Sequence, residues 1–83
     1  MSTKIIISDL AKTEIQNALT WYENQNIILR SKLESSINTA IKDIETTPLA
    51  DQLKYKWIRV YYLRRFPFGI HFTISSSAII IIA

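Results

Sequence analysis

Residues 57–74, WIRVYYLRRFPFGIHFTI, decide the fold of this chain. Positions 57–63 are rich in β-branched and aromatic residues, and apolar residues alternate with Gly, His and Thr over positions 68–74. Both patterns are typical of β-strands, whose side chains point to alternate faces. Pro67 interrupts the pattern between them, because proline cannot donate a hydrogen bond to a strand ladder. The stretch therefore predicts two antiparallel strands joined by a short connection.

The flanking segments complete an α+β domain. Residues 4–7 predict a first strand, and the wholly apolar residues 78–83 predict a last one after a serine turn. Between positions 8 and 48, two apolar stripes with helical spacing predict two amphipathic helices. The predicted order over residues 1–83 is strand, helix, helix, strand, strand, strand. We expect one domain, with the helical hairpin packed on one face of a small, largely antiparallel sheet.

Polar residues mark the ends of the two helices. Ser8 or Asp9 can cap the first helix, which we expect to end near Glu23. The polar break that follows contains Asn26, a suitable cap for the second helix. That helix is predicted to end at residues 46–48, because a proline disfavours helical backbone in the residue before it.

Strand alternation also predicts a polar site on the sheet. We expect the apolar face of residues 68–74 to meet the helices. The opposite face would then carry His71 and Thr73 beside Arg59 and Tyr61 of the preceding strand, as a concave polar site. The run of isoleucines over residues 79–82 must be covered, since an exposed apolar edge strand invites a partner strand to pair with it.

Composition excludes several classes of protein. The 83 residues are 48% hydrophobic with one glycine, which excludes a disordered segment or a linker. Without cysteine, and with one histidine, neither a disulfide framework nor a metal site is expected. The longest apolar run, residues 78–83, is far shorter than the roughly 20 residues of a membrane span. No signal peptide is recognisable at the N-terminus, so we expect a cytoplasmic protein.

Charge is distributed unevenly along the chain. Residues 1–51 hold five basic and seven acidic side chains, for a net charge of −2. From residue 52 onward there is no acidic residue and there are five basic ones, with most of the aromatic residues. A basic, aromatic half suits an anionic partner, either nucleic acid or an acidic protein. The alternative is a solvated strand face.

Two sets of residues resemble a known family. The first helix carries Ala11, Ile15 and Ala18 followed by Trp21-Tyr22-Glu23, and the strand region carries Ile58-Arg59-Val60, then Leu63, Arg65-Phe66-Pro67-Phe68, Ile70 and Phe72. Together they resemble the RelE/ParE superfamily of toxins from bacterial type II toxin–antitoxin modules, nearer the ParE, plasmid-stabilisation side. The resemblance spans roughly residues 5–83. It implies a growth-inhibiting toxin without a cofactor, held inactive by an acidic antitoxin that folds on binding.

The resemblance implies two modes of action. One is binding to DNA gyrase, with target-binding candidates Arg59, Tyr61, Arg64 and Arg65. The other is metal-independent, ribosome-dependent cleavage of mRNA, with catalytic candidates Arg59, Arg65 and His71. His71 could exchange a proton near neutral pH, and arginine could hold a phosphate. Each has a structural alternative: His71 packed beside an aromatic ring, Arg59 anchoring a helix carboxylate, and Arg64 and Arg65 as a solvated pair.

The sequence departs from the family pattern in two places. Gly69 stands where the ribonucleases commonly place an arginine, and the usual basic tail does not follow Ala83. We therefore expect binding rather than cleavage, with a truncated, non-toxic antitoxin binder as a third hypothesis. Four residues are candidates for antitoxin binding: Trp21, Tyr22, Ile80 and Ile82.

Overall fold

The computed structural model describes residues 4–47, 53–55, 57–75 and 78–83. The elements are β1 (Lys4–Ile7), α1 (Asp9–Gln25), α2 (Ile27–Thr46), β2 (Leu53–Tyr55), β3 (Ile58–Tyr62), β4 (Gly69–Ser75) and β5 (Ala78–Ile81). This order confirms the predicted α+β class and adds β2, a three-residue strand that the sequence analysis did not predict. Pro48, expected to follow the second helix, lies outside the described residues.

The described strands form one mixed sheet in the order β1-β5-β4-β3-β2. β1 pairs with β5 in parallel, and the other neighbours are antiparallel, so the predicted meander of β3, β4 and β5 is confirmed. β5 lies inside the sheet between β1 and β4. Its isoleucine run is therefore paired on both sides and does not form an exposed edge.

Asn26 alone makes the turn between the two helices. Its backbone N–H donates to the Tyr22 carbonyl at 2.8 Å and ends α1, while its side-chain oxygen accepts from the Ile28 N–H at 2.8 Å and caps α2. The predicted cap is confirmed. α1 continues to Gln25, two residues beyond its predicted end, because a single extended residue suffices to reverse the chain.

The helical hairpin covers one face of the sheet through two apolar clusters. Phe72, Ile79 and Ile81 of the sheet pack with Ala11 of α1 and Ile44 of α2. The second cluster joins the helices to the end of β3 and consists of Leu19, Leu33, Ile37, Ala40 and Leu63. Full burial of one such large side chain contributes about 1.5–3 kcal/mol. Both helices therefore meet β4 and β5 in the first cluster, and both reach the end of β3 in the second.

The pairing of β3 with β4 overturns the predicted polar site. Arg59 lies opposite Phe72, and Tyr61 lies opposite Ile70, whereas His71 lies opposite Val60. Residues directly opposite each other share a face of the sheet, so Arg59 and Tyr61 lie on the helix-covered face and His71 on the other. The prediction that they lie side by side was wrong. Alternation within each strand was correct, but the connection over residues 63–68 sets the register, and a shift of one residue exchanges the faces.

Substitution of Gly69 by alanine tests how closely this sheet is packed. A Cβ atom at position 69 would stand 2.9 Å from Cγ1 of Val60 and 3.1 Å from two ring carbons of Tyr62. We expect Gly69→Ala to lower the free energy of unfolding by about 1–3 kcal/mol, because overpacking forces neighbours to shift. Urea denaturation measures the change. The double variant Val60→Ala, Gly69→Ala should lose less unfolding free energy than the sum of the losses in the two single variants. A Gly69→Ala protein that is more stable than the parent would contradict the packing described.

Candidate anion-binding groove

A groove of about 460 Å³ lies between α2, β3 and the connection from β3 to β4. We call it the α2–β3 groove. Most of its lining residues are polar or charged, and three of them are cations (Lys32, Arg64 and Arg65). The other lining residues are Ser35, Ser36, Thr39, Asp43, Tyr61 and Leu63. A volume of this size is in the range of small-ligand sites and can equally accept side chains of a partner.

The helical wall of the groove follows from the period of α2. Lys32, Ser36, Thr39 and Asp43 are spaced by four, three and four residues, which aligns them on one side of an α-helix. Four apolar residues of α2 are buried toward α1 and the sheet: Leu33, Ile37, Ala40 and Ile44. α2 thus presents a stripe of hydroxyl and charged groups beside β3.

Three cations of the groove carry no ion pair within the described part of the chain. Lys32, Arg64 and Arg65 are exposed and take part in none of its salt bridges. The nearby Arg30, by contrast, is held by Glu23 at 2.7 Å and Glu34 at 4.0 Å. Because charge that is not neutralised locally attracts counter-ions, the groove has a positive field.

Asp43 is the one acidic side chain among the described residues of the lining. Its Oδ2 atom accepts a hydrogen bond from the Tyr61 hydroxyl at 2.7 Å. This bond joins α2 to β3 beside the groove and uses one of the two carboxylate oxygens. Asp43 forms no salt bridge with the cations of the groove among the described residues.

The connection from β3 to β4 contributes to two neighbouring surfaces. It is closed by the Leu63 N–H, which donates to the Phe68 carbonyl at 2.9 Å. Its arginines line the α2–β3 groove, while Phe66 contacts the Tyr22 ring edge to face, with ring centres 5.2 Å apart. The ring centre of Tyr22 also lies 6.2 Å from that of Phe68 and 4.8 Å from that of Trp21. We call these four rings (Trp21, Tyr22, Phe66 and Phe68) the aromatic cluster.

The structure brings together most of the predicted target-binding residues. Tyr61, Arg64 and Arg65 all line the α2–β3 groove. Arg59 lies on the same face of the sheet but outside the lining.

The four antitoxin-binding candidates lie on two different surfaces. Trp21 is 57% exposed and Tyr22 half-buried, both in the aromatic cluster. Ile80 lies opposite Thr73, on the face of the sheet away from the helices, and Ile82 is half-buried after the end of β5. One short partner segment cannot contact both sides of the domain at once.

The three catalytic candidates are not brought together. His71 lies on the face of the sheet away from the helices, and its Nδ1 atom is buried with no hydrogen-bond partner among the described residues. Arg59 lies on the opposite face and Arg65 on the connection after β3. General acid–base catalysis needs these groups around one reacting bond, which this arrangement does not supply.

Sequence analysis missed the contribution of α2 to the site. Lys32, Ser35, Ser36 and Thr39 fall between the apolar positions of the predicted second helix, and no role was predicted for them. Their helical spacing was visible in the sequence, but the strand beside them depends on how the hairpin lies on the sheet.

Comparison with known proteins gives no family assignment: no protein-family model matches the chain, and no curated protein matches it in sequence. Among the described residues, no helix combines the length and hydrophobicity needed to cross a bilayer. The same residues contain no group of three His, Asp or Glu side chains placed to hold a metal ion.

The bond between Tyr61 and Asp43 can be tested by stability measurements. We expect Tyr61→Phe and Asp43→Asn each to lower the free energy of unfolding by about 0.5–1.5 kcal/mol, since each weakens a hydrogen bond to a charged group in a partly exposed site. We measure the free energy of unfolding by urea denaturation in a double-mutant cycle. The loss in the double variant should be smaller than the sum of the losses in the two single variants. Strictly additive losses would show that the two side chains do not interact in solution.

Proposed function

We propose that this chain is the toxin component of a bacterial type II toxin–antitoxin module. It acts in the cytoplasm by binding a host protein, for which the family resemblance suggests DNA gyrase, and an acidic antitoxin neutralises it. The observation that carries this proposal is the α2–β3 groove, because it gathers Tyr61, Arg64 and Arg65 from the segment that resembles the family.

Electrostatics favours an acidic partner for this groove. The chain has no acidic residue after position 51, and the lining supplies three cations against one carboxylate already bonded to Tyr61. A positive surface of this kind accelerates encounter with an acidic protein and fixes its orientation. An antitoxin and a target that both present carboxylates would compete for it.

Cleavage of mRNA is the weaker alternative on geometric grounds. Its candidates Arg59 and His71 lie on opposite faces of the sheet. The third hypothesis, a non-toxic member that only binds antitoxin, uses the same groove and differs in its effect on growth.

Controlled expression in a bacterial host tests the proposal. Induction should stop growth, with early loss of DNA synthesis in pulse labelling. The variant Lys32→Ala, Arg64→Ala, Arg65→Ala should relieve the arrest, because it removes the cations of the groove. The matched control Lys4→Ala, Lys12→Ala, Lys42→Ala removes the same charge from exposed positions outside the lining and should remain toxic.

Other outcomes distinguish the alternatives. Immediate loss of protein synthesis, abolished by His71→Ala, would favour mRNA cleavage over target binding. Normal growth with folded protein would favour the non-toxic antitoxin binder. Equal relief by both triple variants would show that net charge, rather than the groove, accounts for the effect.

A further inference from the structure

We infer that two copies of this chain associate through the face of the sheet that the helices leave uncovered. We call it the open face, and its large apolar side chains are Ile6, Ile58, Val60, Tyr62 and Ile80. It lies on the other side of the sheet from Tyr61 and α2, which line the α2–β3 groove. The inference therefore goes beyond the proposed function and does not depend on it.

The strand register places a row of side chains across the open face. Ile6 of β1 lies opposite Ile80 of β5, and Ile80 lies opposite Thr73 of β4. Thr73 in turn lies opposite Ile58 of β3. Residues directly opposite each other share a face, so this row crosses four strands. The apolar residues of the open face therefore form one patch and are not scattered over the surface.

The helices do not cover this patch. Val60 is buried, yet it belongs to neither of the two clusters that join the helices to the sheet. Ile6 is 41% exposed and Tyr62 is 62% exposed. A sheet with one face in water normally carries polar residues on that face, whereas β5 is apolar at every position. Such a strand is typical of a sheet that is buried on both faces, so we expect a partner to cover the patch.

The charge of the open face selects a second copy as that partner. On this face of β1, β3, β4 and β5, Lys4 is the one residue that carries a permanent charge, and it lies on the edge strand. A nucleic acid or an anionic membrane surface binds through several cations, which this face does not offer. A two-fold contact uses the same patch on both copies, so apolar side chains meet apolar side chains.

The size of the patch fits a weak dimer. Four strands about 4.8 Å apart and the five residues of β3 at about 3.4 Å each give a footprint of roughly 19 Å by 17 Å. This footprint is at the small end for specific protein interfaces, so we expect a dissociation constant on the order of 10 µM. Two sheets packed face to face would leave the helices of both copies, and both α2–β3 grooves, on the outside.

Sedimentation equilibrium of the full chain, from about 1 µM to about 500 µM, tests the inference. We expect the average mass to rise from that of one chain to that of two. Ile6→Lys should raise the dissociation constant about tenfold, because it places a charge in an apolar contact. The matched control Ile28→Lys makes the same change at an exposed isoleucine of α2 and should dimerise as the parent does.

A milder variant and a folding check guard against loss of structure. Ile80→Thr keeps a β-branched residue in the middle of the patch and should weaken the dimer about threefold. Circular dichroism establishes that each variant is folded, which is expected for Ile6→Lys and Ile28→Lys because both positions are exposed.

An isotope-filtered NOE experiment on an equal mixture of labelled and unlabelled chains locates the contact. We expect NOEs between copies at the methyl groups of Ile6, Ile58 and Ile80. NOEs between copies at Trp21 and Phe68 instead would place the contact at the aromatic cluster and overturn the inference.

Two further results would overturn it. One is a parent chain that stays monomeric at every concentration, and the other is an Ile6→Lys variant that dimerises as well as Ile28→Lys. A monomeric parent that binds vesicles of neutral phosphatidylcholine, with binding lost in Ile6→Lys, would replace the second copy by a lipid surface as the occupant of the open face.

Discussion

The parallel pairing of β1 with β5 is the interaction on which the arrangement of the domain depends. Four residues of each strand pair in register, from Lys4 with Ala78 to Ile7 with Ile81. Ser8 then continues the contact, since its N–H donates to the Ile81 carbonyl at 3.0 Å and its hydroxyl donates to the Ile82 carbonyl at 2.9 Å. The same hydroxyl oxygen accepts from the Ala11 N–H at 3.1 Å and caps α1. One residue therefore joins the sheet to the start of the hairpin and directs α1 across β5.

The groove is a consequence of that path. The turn at Asn26 returns α2 beside α1, and the hydrogen bond from Tyr61 to Asp43 holds α2 next to β3. The buried apolar side chains of α2 pack against α1 and the sheet. The polar stripe of α2, which contains Lys32 and Thr39, therefore lies next to the strand that carries Tyr61. The groove thus arises where the polar side of a helix meets the end of a strand, with the connection after β3 supplying the arginines.

Local features, such as helix caps, could be predicted from the sequence. The register between strands and the position of α2 on the sheet could not. The caps at Ser8 and Asn26 and the meander follow from short-range rules that need no knowledge of neighbours. The register of β3 with β4 depends on the connection between them, which is why Arg59 was expected on the face that His71 occupies. The strand β2 escaped prediction because three residues carry too little periodicity to identify. Of the site, the sequence indicated Tyr61, Arg64 and Arg65, and the contribution of α2 required the fold.

We propose that the α2–β3 groove is the surface through which this domain binds acidic partners. Amide chemical-shift mapping of the isotopically labelled chain, titrated with a short glutamate peptide, tests it most directly. We expect shifts concentrated at residues 32–43 and 61–66, saturating together and suppressed by salt. Shifts concentrated instead on the opposite face of the sheet, around Ile6, Thr73 and Ile80, would contradict it.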